Sequence, residues 1–253
     1  EKISETHLNS AHKSFFTCSV LCNNSNLIKQ DDGWKLEGES TEGAFISLSQ
    51  SVGFDEVKVR DDYKKLFEVP FTPEKKYMAT LHMSKKDKKY IVSLKGAAER
   101  VLDKCINYRD EKGNSIRITD KTRKKLFEVV ESYTSKGYRV MAVASKHSAN
   151  ENEDKIKSDM ENKTYTLEGI VGIEDPIREE VFEAVKTCNM AGIKTVMITG
   201  DHKYTAMAIA QKLNIISDSK DLALTGEELS EMDDKHLDSI IKNVKVFSEN
   251  VKN

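Results

Sequence analysis

Proline, cysteine and tryptophan are scarce in this chain of 253 residues, with three, four and one respectively. Cys18, Cys22, Cys105 and Cys188 are too few and too scattered to frame a disulfide-held fold. Cys18 and Cys22 lie in an apolar-periodic stretch with Leu8, Ala11 and Phe15, so they read as buried thiols, which suits a reducing compartment. Only His7 and His12 stand near enough in sequence to join them on a metal, and the six histidines show no metal-ligand spacing. A strong charge of one sign is also missing. The 40 Lys and Arg against 42 Asp and Glu leave a net charge of −2, which excludes the basic excess of a nucleic-acid footprint. No apolar run approaches the roughly 20 residues that span a bilayer, and no signal peptide is visible. The stretch itself reads as water-soluble.

What remains is a length that accommodates one large domain or two medium ones. Residues 7–22 read as an amphipathic helix, and 41–50 as a second one opened by Glu39-Ser40-Thr41-Glu42. Strand-like segments follow at 66–71, 77–83 and 89–94, the last two joined by the charged tip Ser84-Lys85-Lys86-Asp87-Lys88. Residues 96–105 and 120–136 read as helices, and 138–145 as a short strand. This is the pattern of an α+β unit with an antiparallel sheet and flanking helices. Residues 147–163 carry charge and amide side chains with little periodicity, and read as an exposed, mobile connection. Beyond them, strands at 165–173, 194–198, 221–225 and 244–247 alternate with helices at 178–190, 203–213 and 233–242, as in parallel βαβ units. The expected domains are therefore 1–163 and 164–253, the second truncated, because a strand begins just as the chain stops.

Candidate chemistry gathers at the ends of these segments. The apolar run 194–198 ends in Thr199-Gly200-Asp201, and a helix follows. In an open α/β sheet ligands sit at the carboxyl ends of the strands, and the next helix points N–H groups and its positive dipole end there. Thr199, Gly200 and Asp201 are thus placed to meet a phosphate or its Mg²⁺, or merely to cap the helix. Asp175-Pro176-Ile177-Arg178 repeats this arrangement one βα unit earlier, with Pro near the first helical turn. Two acidic strand ends side by side would organise a Mg²⁺–phosphate site, and either alone would serve as a cap.

In the first half, Phe71 precedes a turn and the cation pair Lys75-Lys76. An aromatic face beside an ammonium suits a planar base with a polyphosphate tail; a half-buried ring beside solvated lysines is the plainer reading. Lys95 follows the apolar strand, with Gly96 removing a Cβ where a ligand would approach the backbone. The flexible Lys95 stem can enter a pocket or lie on the surface. Glu42 sits in a first helical turn, where the dipole favours a carboxylate in any case. Arg139 suits phosphate through its planar fork, and an ion pair equally.

The order of these motifs resembles one family. Gly38-Glu39-Ser40-Thr41-Glu42-Gly43-Ala44, Phe71…Lys76…Met78, Lys95-Gly96-Ala97-Ala98-Glu99, Gly137-Tyr138-Arg139-Val140, Asp175-Pro176-Ile177-Arg178 and Thr199-Gly200-Asp201 appear in sequence across nearly the whole chain. Together they are similar to the cytoplasmic ATP-binding region of P-type cation-transporting ATPases. The run from Met197 to Lys203 is most like the calcium-pump branch, with the sodium/potassium branch close behind. The resemblance implies that Phe71 stacks on adenine, Glu42 and Lys76 lie beside the nucleotide, Lys95 and Gly96 line the depth of the pocket, and Arg139 reaches the phosphates. It implies that Asp175 and Arg178 lie near the incoming nucleotide, and that Thr199, Gly200 and Asp201 contact the phosphoryl group and its Mg²⁺ surroundings. The first unit would then be a nucleotide-binding domain and the second a partial haloacid-dehalogenase-like phosphorylation domain. Both would stand on the cytoplasmic face of a membrane pump, with ATP and the pump's remaining phosphorylation, actuator and transmembrane domains as partners, and no nucleic acid.

Departures from the family pattern set a limit. Neither the nucleophile motif Asp-Lys-Thr-Gly-Thr nor the downstream Gly-Asp-Gly-x-Asn-Asp occurs in the sequence. Ala98 replaces the family's Pro, and Glu249 follows Phe247-Ser248 where the family has Arg. The chain alone is therefore expected to bind ATP without turnover. Two other classes remain: a stand-alone nucleotide-binding module, and a dehalogenase-type phosphatase, for which the Asp-x-Asp nucleophile strand is missing.

Overall fold

Helix α1 (Ser10–Leu21) begins at a reciprocal cap, in which Asn9 Oδ1 accepts the His12 N–H and His12 Nδ1 accepts the Asn9 N–H. After it the chain forms the antiparallel hairpin of β1 (Asn26–Gln30) and β2 (Gly33–Glu37), then helices α2 (Ser40–Ser51) and α3 (Glu56–Asp62). The computed structural model describes residues 8–30, 33–148, 153–174, 177–200 and 203–248. These fall into two units, one comprising residues up to Val130 with Val140–Ile173, the other Glu131–Arg139 and the residues from Glu174 onward.

The first unit is built on one mixed sheet of seven strands. Chain order supplies β3 (Tyr63–Val69), β4 (Tyr77–Ser84), β5 (Tyr90–Ala97), helix α4 (Ala98–Lys104), β6 (Cys105–Arg109), β7 (Ser115–Arg117), helix α5 (Asp120–Thr134), β8 (Arg139–Ser148), helix α6 (Glu153–Asp159) and β9 (Tyr165–Ile173). Their spatial order is β3-β4-β5-β8-β9-β6-β7. The pairs from β3 to β8 are antiparallel, whereas β6 lies parallel to β9. Ile91 through Gly96 are buried in succession, so β5 is covered on both faces, with Ser93 and Lys95 buried among its apolar residues. Cys18, Leu21, Phe45, Ile91 and Val143 pack α1 and α2 against this central strand. The expected buried thiols are Cys18, Cys22 and Cys105, while Cys188 is partly exposed. Across β6, β9 and β8, Arg109 holds Glu168 through Nε at 2.6 Å and Nη2 at 2.7 Å, and Ser145 Oγ donates to the same carboxylate at 2.5 Å. The Glu168 side chain is wholly buried.

The second unit has three parallel strands in the order β10-β12-β11, with β10 (Met197–Thr199), β11 (Leu222–Thr225) and β12 (Val244–Ser248). Helices α7 (Glu179–Met190), α8 (Lys203–Lys212), α9 (Gly226–Ser230) and α10 (Asp234–Ile240) alternate with them. Val185, Ala206, Ala210, Leu213, Ile215 and Val246 form its core. Among the described residues no helix is long and apolar enough to cross a membrane.

Several expectations change. The first sheet is mixed, not antiparallel, because β9 closes it beside β6 instead of opening the second unit. The division accordingly falls after Ile173 rather than after Lys163. A buried strand flanked by polar linkers gives no local sign of which sheet it joins. Strand β5 runs on through Gly96 to Ala97, so the helix expected from 96 starts at Ala98. The polar stretch 147–163 contains α6, anchored by buried Ile156 and Met160; residues 149–152 lie outside the described part. The hairpins β1–β2 and β6–β7 and helices α3 and α9 are short, and their sequences carry no periodicity that announces them.

Candidate functional site

In the first unit the structure joins two of the sequence-selected residues directly. Lys95 Nζ donates to Glu42 Oε1 at 2.8 Å, linking the middle of the sheet to the first turn of α2. The lysine side chain is 3% exposed and the glutamate 14%, so little water screens the pair. Lys95 Nζ also stands 5.2 Å from the centre of the Phe45 ring, within cation–π range. The other carboxylate oxygen of Glu42 accepts the Asn24 N–H at 2.9 Å. Nearby, burial pushes the Cys22 thiol up to about 11, although the Lys95 charge opposes the shift. Cys22 is a packed, unreactive thiol whose Sγ lies 3.6 Å from the Met78 carbonyl.

A second junction joins Lys76 to Gly96. The register pairs Gly96 with Tyr77, and the Ala97 N–H donates to the Lys76 carbonyl at 2.9 Å. A Cβ on Gly96 would lie 2.4 Å from that carbonyl oxygen and 2.5 Å from Tyr77 Cβ. Glycine is therefore required by the close approach of the neighbouring strand. Lys76 itself has φ +57°, in the left-handed region that non-glycine residues seldom occupy. Its turn is tied by Lys76 N–H to the Thr72 carbonyl at 2.8 Å and Lys75 N–H to Thr72 Oγ1 at 3.2 Å. Phe71, at the head of this turn, is 57% exposed, an uncommon state for a phenylalanine. Lys75 is fastened to Glu161 at 2.6 Å. Arg139 opens β8 as an exposed residue and belongs by its contacts to the second unit.

In the second unit, the register sets Thr199 level with Ser248, and Ser248 level with Thr225. Three hydroxyl side chains therefore line up at the carboxyl ends of three parallel strands. Gly200 follows, exposed. Lys203, the first residue of α8, donates to both carboxylate oxygens of Glu228 at 2.8 Å. Glu228 also accepts the Thr225 N–H at 2.8 Å in a capping box. The Lys203 bond, with the Thr225 N–H, holds the Glu228 carboxyl below its ordinary range. Arg178 is the exposed N-cap residue of α7. Asp175 and Asp201 lie outside the described residues.

Sequence reasoning missed Asn23 and Asn24, which bond Glu42; Lys65 and Glu68, which bond Asn24; and the hydroxyls of Thr225 and Ser248. Their contacts span separations such as 18 and 44 residues, which no local spacing signals. A cleft of about 750 Å³, lined by His12, Phe15, Phe16 and Arg109 among others, contains none of the residues expected to meet nucleotide or phosphate. It is mostly apolar, and its one buried ion pair is already satisfied as Arg109–Glu168.

Comparison with known proteins shows the family. Residues 11–180 match the family model described as P-type ATPase, cytoplasmic domain N. The chain is 34% identical over 231 residues to a calcium-transporting ATPase of Bacillus subtilis, covering 90% of this chain and 25% of the relative. It is 36% identical over 214 residues to the mouse calcium-transporting ATPase type 2C member 1, covering 84% and 22%. A cation-transporting ATPase of Synechocystis is 33% identical over 229 residues, covering 90% and 24%. The chain thus spans about a quarter of the length of these relatives.

Proposed function

The chain belongs to the P-type cation ATPase family, and on that premise we propose that it is the ATP-binding part of a cation pump, with calcium as the transported ion. The observation that carries this reading is the buried Lys95–Glu42 pair beside the Lys76–Gly96 junction. The Glu42 carboxylate, 14% exposed, offers the amino group of a nucleotide base an acceptor, and Lys95 bonded behind it fixes its direction. Phe71, exposed at the head of the adjoining turn, supplies the stacking face for adenine. Lys76 is assigned a place beside the nucleotide by the family pattern, which also assigns the phosphates to Arg139, whose guanidinium fork suits them. The left-handed backbone of Lys76 is the kind of local strain that clusters at ligand sites.

The second unit is read as a portion of a haloacid-dehalogenase-like phosphorylation domain. The level row of Thr199, Ser248 and Thr225 supports this reading, since ligands of parallel sheets sit beyond the carboxyl strand ends. Thr199, Gly200 and Asp201 would hold the phosphoryl group, with Asp175 and Arg178 near the arriving nucleotide. Mg²⁺ accepts hard oxygen donors of the type Thr199 and the two aspartates offer, and when bound it neutralises charge on the transferred phosphate. In the intact pump an aspartyl carboxylate, absent from this sequence as its family motif, would take the γ-phosphoryl from ATP and release ADP. Water would then hydrolyse the acyl phosphate. Alone, the chain binds ATP without turnover. Titration with ATP and an assay of phosphate release test this: saturable binding with no steady release is expected, and either no binding or sustained release refutes it. Calcium is proposed from the names of the relatives; an ion-dependence assay of the full-length pump decides it.

A further inference from the structure

We infer that the Asn23-Asn24 turn positions the Glu42 carboxylate, with Asn24 the residue that ties it to a second carboxylate, Glu68; this rests on reading the Glu42–Lys95 pair as nucleotide-binding. Buried Asn23 welds the turn to α2. Its Nδ2 donates to the Glu42 carbonyl at 2.9 Å, and its Oδ1 accepts the Ser25 N–H at 2.8 Å. That fold of the backbone directs the Asn24 N–H onto Glu42 Oε2 at 2.9 Å, leaving Oε1 for Lys95. The Asn24 side chain faces a different partner. Its Nδ2 donates to Glu68 Oε1 at 3.1 Å and Oε2 at 3.3 Å, and its Oδ1 accepts Lys65 Nζ at 2.9 Å. Lys65 closes the ring by pairing with Glu68.

Glu42 and Glu68 are thus held on either side of one residue that donates to both. Ionised carboxylates only accept, and Asn24 supplies a donor to each, its backbone N–H to Glu42 and its side-chain Nδ2 to Glu68. Burial alone would raise the Glu68 carboxyl, but the bonds from Lys65 and Asn24, together with the charges of Lys65 and Lys95, outweigh it and leave the group below its ordinary range. Glu68 is balanced by Lys65, and Lys95 keeps one carboxylate partner in one orientation. Asn24 acts on the nucleotide only through Glu42 and is a positioning residue.

A double-mutant cycle on the 253-residue chain, read by ATP calorimetry, tests this. Asn24→Asp keeps the shape but sets a third carboxylate between the other two. It is expected to weaken ATP binding about tenfold, and less than about twofold in a Glu42→Gln background, where the charge it acts on is gone. Asn24 is exposed, and a thermal melt of each variant checks folding. If Asn24→Asp does not fold, Asn24→Ala, which removes only the side-chain bonds, is expected to give the same pattern at about threefold. Equal losses in both backgrounds, or no loss in either, overturn the positioning role. If Phe71→Ala and Lys95→Met abolish binding while Asn24→Asp is silent, this inference alone fails. If those two variants are silent, the nucleotide-site reading fails with it.

Discussion

Lys95 Nζ and Glu42 Oε1 lie 2.8 Å apart, with the lysine side chain almost fully enclosed. An enclosed ion pair costs most when one member is removed, because the survivor is left desolvated and uncompensated. Glu42→Ala is therefore expected to destabilise the first unit by about 3 kcal/mol. The double variant Glu42→Gln with Lys95→Met should recover a good part of that loss, since neither side then carries a charge. Urea unfolding of the two variants checks the ordering, and a double variant less stable than Glu42→Ala would contradict it.

Gly96→Ala puts a methyl group 2.4 Å from the Lys76 carbonyl and against Tyr77. Backbone atoms cannot yield there as a side-chain tip would. The expected cost is about 2–3 kcal/mol, seen as a lowered melting temperature, together with weaker ATP binding because the Lys76 turn moves. An unchanged melting temperature would show that the strands are not held this closely.

Lys76→Gly should separate stability from binding. Relief of the left-handed backbone at φ +57° favours the variant by up to about 1 kcal/mol. Loss of the ammonium should weaken ATP binding. A variant that is less stable but binds ATP normally would reverse both halves of the argument.

His82 gives a pH dependence with a definite sign. Burial first, and then the charges of Lys65 and Arg60, lower its pKa from 6.5 to about 4. Its Nδ1 has no hydrogen-bond partner among the described residues. The folded state therefore resists protonation more than the unfolded state does. Stability is full above pH 6.5 and falls as the pH drops toward 4, by about 3 kcal/mol in all. Chemical denaturation between pH 7 and 4 should show that slope, and a His82→Gln variant that folds should lose it. The His82 ring resonances should stay in their neutral positions at pH 5.

How much of this was legible in the sequence depended on the length scale of the cause. Helices α1, α2 and α5 and the hairpin of β4 and β5 were visible because their periodicity and turns are local. Lys95, Gly96 and Thr199 stand out in the sequence because strand ends mark themselves by an abrupt change of residue type. The membership of β9 was not legible, since a strand's partner is set by the whole topology. The Asn23-Asn24 turn was not legible either. Two asparagines after a helix look like any polar linker until the fold sets them beside a glutamate and a lysine from distant segments.

The central claim, that this chain holds ATP at the Lys95–Glu42 pair, is tested most directly by calorimetric titration of the chain and its Lys95→Met variant with ATP. The account predicts a single saturable site in the parent chain and at least about a tenfold loss of affinity in the variant. Equal affinities, or no saturable binding by the parent chain, would contradict it.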